Sequence, residues 1–380
     1  MLSPRPANPG FVALAVVLLA VLAGSPARVL AQEPRPADAP VLEDVEAAFG
    51  RIDTRGEHST ACANGLIPKP LYRAAFTNFL FGLRNHFQGI QRLPDPRYVV
   101  ISGSNKGISD LFIVRLAPPP GSDSSTCAGA VVARIIVDDV MWHPGGLSML
   151  GPILAVPVFG GTPRMAKIVF FDLSAPETPR RLPVEIMRPG RKATATALTR
   201  LPSGHVLVAV LSAFDGLPRR IDFYLSRTTD LAEGFEPEPV TWRTGDVDAR
   251  PGQDRSFSHF QNINFVTQAD GRRYLVGSHN STAPQTFFPG RDYLDLYEVV
   301  FPKDTIDRAD PVLQPPTITK VAKRKLQCTD GYCNLDTAAG LFVDPVTQSI
   351  SVYATPGWLD GNTIKMTVYP GGQGKPANAQ

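Results

Sequence analysis

The pentapeptide His86-Phe87-Gln88-Gly89-Ile90 returns as His259-Phe260-Gln261-Asn262-Ile263, and each copy leads through a short polar turn into an apolar run. The first run is Tyr98-Val99-Val100-Ile101 and the second is Tyr274-Leu275-Val276. Looser copies are His143-Pro144-Gly145-Gly146-Leu147 ahead of 153–158, Thr194-Ala195-Thr196-Ala197-Leu198 ahead of 206–211, and Thr337-Ala338-Ala339-Gly340-Leu341 ahead of 350–354. Aligned on the small residue before Ile or Leu, the copies fall at 89, 146, 197, 262 and 340, in steps of 57, 51, 65 and 78 residues. A unit of this length, built from short strands and repeated along one chain, is the mark of a radial all-β array.

The units read as strands over 88–93, 98–102, 111–116 and 131–137; 146–150, 153–158, 167–173 and 182–186; 194–201, 205–211, 220–226 and 240–243; 261–267, 273–278, 293–300 and 318–322; and 338–343, 349–354 and 363–369. Runs such as 98–101 and 168–171 are apolar at every position, as strands are when both faces are covered. The 37 prolines, about twice the usual ~5 %, punctuate many short strands and oppose a helical fold. The expected fold is an all-β, five-bladed β-propeller, with six blades as the alternative if 60–84 holds further strands. The fifth unit lacks one strand, and a segment ahead of His86 is expected to supply it and latch the ring.

The chain opens on Arg5, an apolar run from Phe11 to Leu22, and Val29-Leu30-Ala31. This is the pattern of a cleaved signal peptide over 1–31, so a periplasmic or extracellular protein beginning at Gln32 is expected, with no membrane span thereafter. A Pro-rich linker and a short helix from Val41 to Gly50 fill 32–60, the propeller 61–370, and a tail 371–380. Removing 1–31 takes away Arg5 and Arg28, so 38 basic residues become 36 against 35 acidic ones, a net charge of +1. Without clustered Lys and Arg there is no nucleic-acid footprint. Four cysteines in an exported chain point to disulfides and allow three pairings. Cys328 with Cys333 across a short turn, and Cys62 with Cys127, is the favoured set. A zinc site at the C-x4-C spacing is its rival.

In such an array the first strand of each unit lines the central channel. His86, His143 and His259 hold one place in three units, and three neutral imidazoles can hold a divalent transition metal. The competing reading is that each caps its inner strand. Gln88, Thr196, Gln261, Asn262, Asn334 and Asp336 also point inward, as does Thr194, and amides and hydroxyls of this kind suit a saccharide or peptide. Asp138-Asp139 is a carboxylate pair on a loop entering the mouth and could serve as general base or cation ligand, although solvated turn carboxylates are the commoner case. No nucleophile elbow, zinc-protease helix, phosphate loop or dinucleotide fingerprint occurs. The expected function is an exported protein binding a small polar ligand, saccharide or peptide, at the channel mouth. The alternatives are a metal-dependent hydrolase or lyase using the histidines, and a structural interaction module.

The run from Cys333 to Val343 with Ser349 to Thr355 resembles a segment of secreted bacterial β-propeller proteins of unassigned activity. So do His143-Pro144-Gly145-Gly146 with Leu154-Ala155-Val156-Pro157, and Gln261-Asn262-Ile263-Asn264. The resemblance spans about 86–355, implies the fold and export, and carries no activity with it. It departs at Pro356-Gly357-Trp358, where an acidic residue and a histidine are expected.

Overall fold

The computed structural model describes residues 40–67, 86–105, 108–117, 127–160, 165–212, 219–280, 292–303, 305–328 and 331–372. The expected signal peptide, the part of 60–84 beyond residue 67 and the tail beyond 372 lie outside them. The helix forms later than its apolar spacing indicates. Val41–Leu42 is instead a short strand, β1, pairing in parallel with Thr267 and Gln268. Asp44 then caps α1 (Val45–Gly50), its carboxylate accepting from Ala47 N–H at 2.9 Å.

Strand β2 (Glu57–Cys62) follows, and then the repeated units. Blade one is β3 (Phe87–Arg92), β4 (Tyr98–Asn105), β5 (Ile108–Arg115) and β6 (Gly129–Asp138). Blade two is a broken inner edge, β7 (His143–Pro144) and β8 (Ser148–Leu150), followed by β9 (Ile153–Phe159), β10 (Met165–Asp172) and β11 (Arg180–Pro189). Blade three is β12 (Ala195–Arg200), β13 (Val206–Ser212), β14 (Arg220–Leu225) and β15 (Val240–Arg243). After the short β16 (Asp248–Ala249), blade four is β17 (Asn262–Gln268), β18 (Arg273–Asn280), β19 (Asp292–Val300) and β20 (Thr317–Leu326). Blade five is β21 (Ala338–Asp344), β22 (Ser349–Thr355) and β23 (Thr363–Tyr369), completed by β2 from the start of the chain. The missing strand of the fifth unit is therefore supplied from ahead of His86, as expected. It begins at Glu57, short of the expected propeller boundary at 61.

Five apolar clusters close the ring, one between each pair of neighbouring blades. Val100, Leu111 and Ile113 of blade one meet Leu154, Val156 and Phe171 of blade two. Ile168 and Phe170 meet Val208 and Tyr224 of blade three. Leu207 and Phe223 meet Phe265 and Tyr297 of blade four. Val276 and Leu296 meet Leu341 and Val352 of blade five, with α1 packed on that seam. Tyr353 and Met366 meet Ile101 and Phe112, returning to blade one. Because both faces of a blade are covered, the central strand β13 is buried at every position, while the outer β11 alternates. At the axis the inner strands nearly touch. A Cβ on Gly340 would overlap the Ile90 carbonyl, and one on Gly146 would overlap that of Gln261. These are two of the five positions on which the sequence repeat aligns.

The latch is fastened twice. Besides completing blade five, β2 pairs in parallel with β6 of blade one through Ala61 and Cys62. The Cys62–Cys127 disulfide, its Cα atoms 5.6 Å apart, ties the same edge across a sequence separation of 65. Closing a loop of that length contributes about 4 kcal/mol on the chain-entropy account. The second bridge joins Cys328 to Cys333, so the favoured pairing is the one present and no cysteine is left for zinc. The expected tail starts late, since Gly372 N–H donates to the Arg51 carbonyl at 3.0 Å.

Candidate functional site

The mouth is the end of the axis at which β3, β12, β17 and β21 begin. His86 immediately precedes β3. Its backbone is held by Ser104, whose N–H donates to the His86 carbonyl at 2.9 Å and whose Oγ accepts from His86 N–H at 3.2 Å. His143 opens β7 opposite Phe159. The two imidazoles stand edge to face with centroids 5.4 Å apart. Trp142 and Phe159 lie at 5.1 and 4.4 Å from the His143 ring.

A chain of side chains crosses from blade four to blade one at this level. The Gln261 amide donates to Gln88 Oε1, and the Gln88 amide donates to His86 Nε2. A neutral ring that accepts at Nε2 carries its proton on Nδ1, so His86 keeps a donor. Burial lowers the His86 pKa to about 4. Burial, then the nearby His86 and Lys192, hold His143 well below its ordinary value. Both rings are therefore neutral through the physiological range. His143 Nδ1 is buried without a hydrogen-bond partner.

The other inward polar residues divide by task. Thr196 Oγ1 donates to the Gly146 carbonyl at 3.4 Å, and the Asn262 amide donates to the Ala339 carbonyl. These bonds tie one inner strand to another. Asn334 turns its side chain onto its own segment, Oδ1 accepting from Asp336 N–H at 2.9 Å. Asp336 is thereby held ahead of β21, beside Thr337. Gly357 lies between Thr337 and His86, and a Cβ there would sit 3.2 Å from Thr337 Cγ2 and 3.6 Å from His86 Cβ.

Asp336 has a partner that the sequence reading missed. Asp292, at the start of β19, accepts from Leu335 N–H at 3.0 Å. Burial raises the Asp292 pKa to about 6. Burial and then the Asp292 charge raise Asp336 to about 7. The charge on Asp292 thus acts on Asp336, and both carboxyls hold their protons well above the ordinary aspartate range. The missed signal was an aspartate placed just before an expected strand start.

Three expectations are corrected here. His259 is exposed on the loop before β17, where neighbouring Phe260 takes the buried place, and it feels Arg219 and His279 rather than the other two histidines. Among the described residues no group of three His, Cys, Asp or Glu is placed to hold a metal ion, so the three-histidine ligand set is not assembled. Asp138 is structural, accepting from Val140 and Met141 N–H groups and pairing with Lys167 at 2.8 Å, while Asp139 is exposed.

Fold and mouth together define a five-bladed β-propeller with a polar, histidine-bearing channel entrance. The sequence matches no protein-family model and no curated protein. Among solved structures it is similar to an endo-arabinase from Bacteroides thetaiotaomicron VPI-5482, with a TM-score of 0.46 and 10 % identity over 78 % of this chain and 96 % of that one. A GH43_1 enzyme from Xanthomonas citri gives a TM-score of 0.44 and 13 % identity over 76 % and 91 %. An α-L-arabinanase from Penicillium chrysogenum, complexed with arabinobiose, gives 0.42 and 10 % over 83 % and 98 %.

Proposed function

We propose that this is an exported protein, matured by loss of residues 1–31, whose channel mouth binds a saccharide. The observation that carries the reading is the pairing of His86 and His143 at 5.4 Å, beside Trp142 and above the Gln88–Gln261 amide chain. A sugar ring offers hydroxyls that both donate and accept, and C–H faces that pack on aromatic surfaces. Neutral imidazoles and amides answer the first requirement with no net charge to desolvate, and an indole answers the second. Among the described residues no helix is long and apolar enough to cross a membrane.

Calorimetric titration with a panel of neutral oligosaccharides tests this. His143→Ala is expected to weaken binding at least about tenfold, the worth of one or two lost hydrogen bonds. His259→Ala should leave binding unchanged. Equal binding by the parent and His143→Ala would refute the site. Cleavage of the bound sugar is the second reading, and Asp336 favours it, because a carboxylic acid still protonated near pH 7 has the pKa a general acid needs.

A further inference from the structure

Beside the mouth, between blades two and three, three arginines converge on one carboxylate. Asp222 Oδ2 lies 2.7 Å from Arg188 Nη2, 3.4 Å from Arg191 Nη1 and 3.6 Å from Arg220 Nε. Its other oxygen accepts from the Thr241 hydroxyl at 2.6 Å. Three guanidinium charges thus face one negative charge, and among the described residues none of the three is ion-paired elsewhere. Arg188 and Asp222 are fully buried, whereas Arg191 and Arg220 retain side-chain exposures of 34 % and 20 %. Arg188 Nη2 also donates to Ser212 Oγ at 2.6 Å, yet its Nε and Nη1 are buried with no acceptor. Arg191 Nη1 and Arg220 Nε, though within ion-pair range of Asp222, are not hydrogen-bonded either.

Buried guanidinium N–H groups without acceptors are costly, and an unbalanced buried positive charge more so. An oxyanion entering between Arg191 and Arg220 would supply both the acceptors and the charge. The cluster is continuous with the mouth. Ser212 Oγ donates to the Lys192 carbonyl at 2.9 Å, the Lys192 ammonium lies 5.9 Å from the Phe159 ring centroid, and Phe159 packs on His143.

We infer that Arg188, Arg191 and Arg220 form an anion subsite, and that the saccharide taken at the mouth is acidic, presenting a carboxylate or sulfate to it. This rests on the saccharide reading for the sugar but not for the anion, and the test separates the two. The probes are a uronate oligosaccharide, a sulfated one, their neutral counterpart, and inorganic sulfate alone, each titrated at low ionic strength into the parent and the Arg191→Gln/Arg220→Gln variant. The parent is expected to prefer one acidic sugar over the neutral one by about tenfold or more, the better of the two identifying the group. The variant should lose that preference while holding the neutral sugar equally well. If no sugar binds, sulfate that raises the melting temperature of the parent but not of the variant upholds the anion subsite and sinks the saccharide reading alone. Equal affinity of the parent for acidic and neutral sugars, a preference that survives in the variant, or indifference of the parent to sulfate would each overturn the inference.

Discussion

Replacing Lys320 with Met is expected to lower the unfolding free energy by about 3–5 kcal/mol, the cost of removing one partner from a buried charge pair. Lys320 on β20 is fully buried. Its ammonium lies 2.7 Å from Asp254 Oδ1, 3.0 Å from Ser256 Oγ and 3.3 Å from Asp295 Oδ2. Asp254 is half in water and tolerates the loss. Asp295 does not, because it is fully buried and Lys320 is the cation held against it. What remains near its Oδ2 is His279 Nε2 at 3.2 Å, the Tyr297 hydroxyl at 3.2 Å and Ser258 Oγ at 3.4 Å. The network also fastens the loop that leads through His259 into Gln261, since Tyr297 donates to the Ser256 carbonyl at 2.8 Å. Urea unfolding reads the loss, and adding Asp295→Asn to Lys320→Met should return much of it by removing the stranded charge. A loss below about 1 kcal/mol would show that water reaches Asp295 after all.

The second large effect is a pH dependence of opposite sign to the usual carboxylate one. Asp336 and Asp292 have folded pKa values of about 7 and about 6, above those of an unfolded aspartate. Below about pH 3 both states hold these protons, and the pair does not affect stability. As pH rises from there through 7, the unfolded chain has released protons that the folded chain retains, so this contribution to stability falls. Above about pH 8 the pair is ionised in both states and the loss is complete. Asp336→Asn cannot ionise. It is expected to match the parent near pH 3 and to exceed it by about 2–4 kcal/mol at pH 8.5, after allowance for a position that is only partly buried. Urea midpoints across that range give the difference, and parallel curves for parent and variant would contradict it. If the proposed saccharide is cleaved at the mouth, the same variant would bind it without cleaving.

Much of the architecture was legible because it follows from local pattern. Positions 89, 146, 197, 262 and 340 share a register because inner strands meet there, and unbroken apolar runs mark strands between two covered faces. The closing strand was foreseen as coming from ahead of His86, but not at which residues. Glu57–Cys62 is an outer strand with little burial and no apolar alternation to announce it. The inner edge of blade two reads as one strand but divides at Gly145-Gly146, where the backbone turns to meet Thr194 and Gln261. The site was half visible. His86, His143, Gln88 and Gln261 occupy equivalent places and come together, yet equal angular position does not set depth, and His259 stays outside. Asp292 with Asp336, and Arg188 with Asp222, join residues far apart in sequence, and no single stretch carries a sign of either pair.

The most direct test of the proposed saccharide site follows the imidazole resonances of all six histidines by NMR while an oligosaccharide is titrated in. The two rings at the mouth are neutral and half-buried, so a bound sugar must change their hydrogen bonding. His58 stacks on Tyr332 and His205 bonds Ser203, both away from the mouth. The account predicts saturable shifts at His86 and His143 with His58 and His205 unmoved. Shifts at His58 or His205, with His86 and His143 unmoved at saturation, would contradict it and place the binding surface on the outside of the blades.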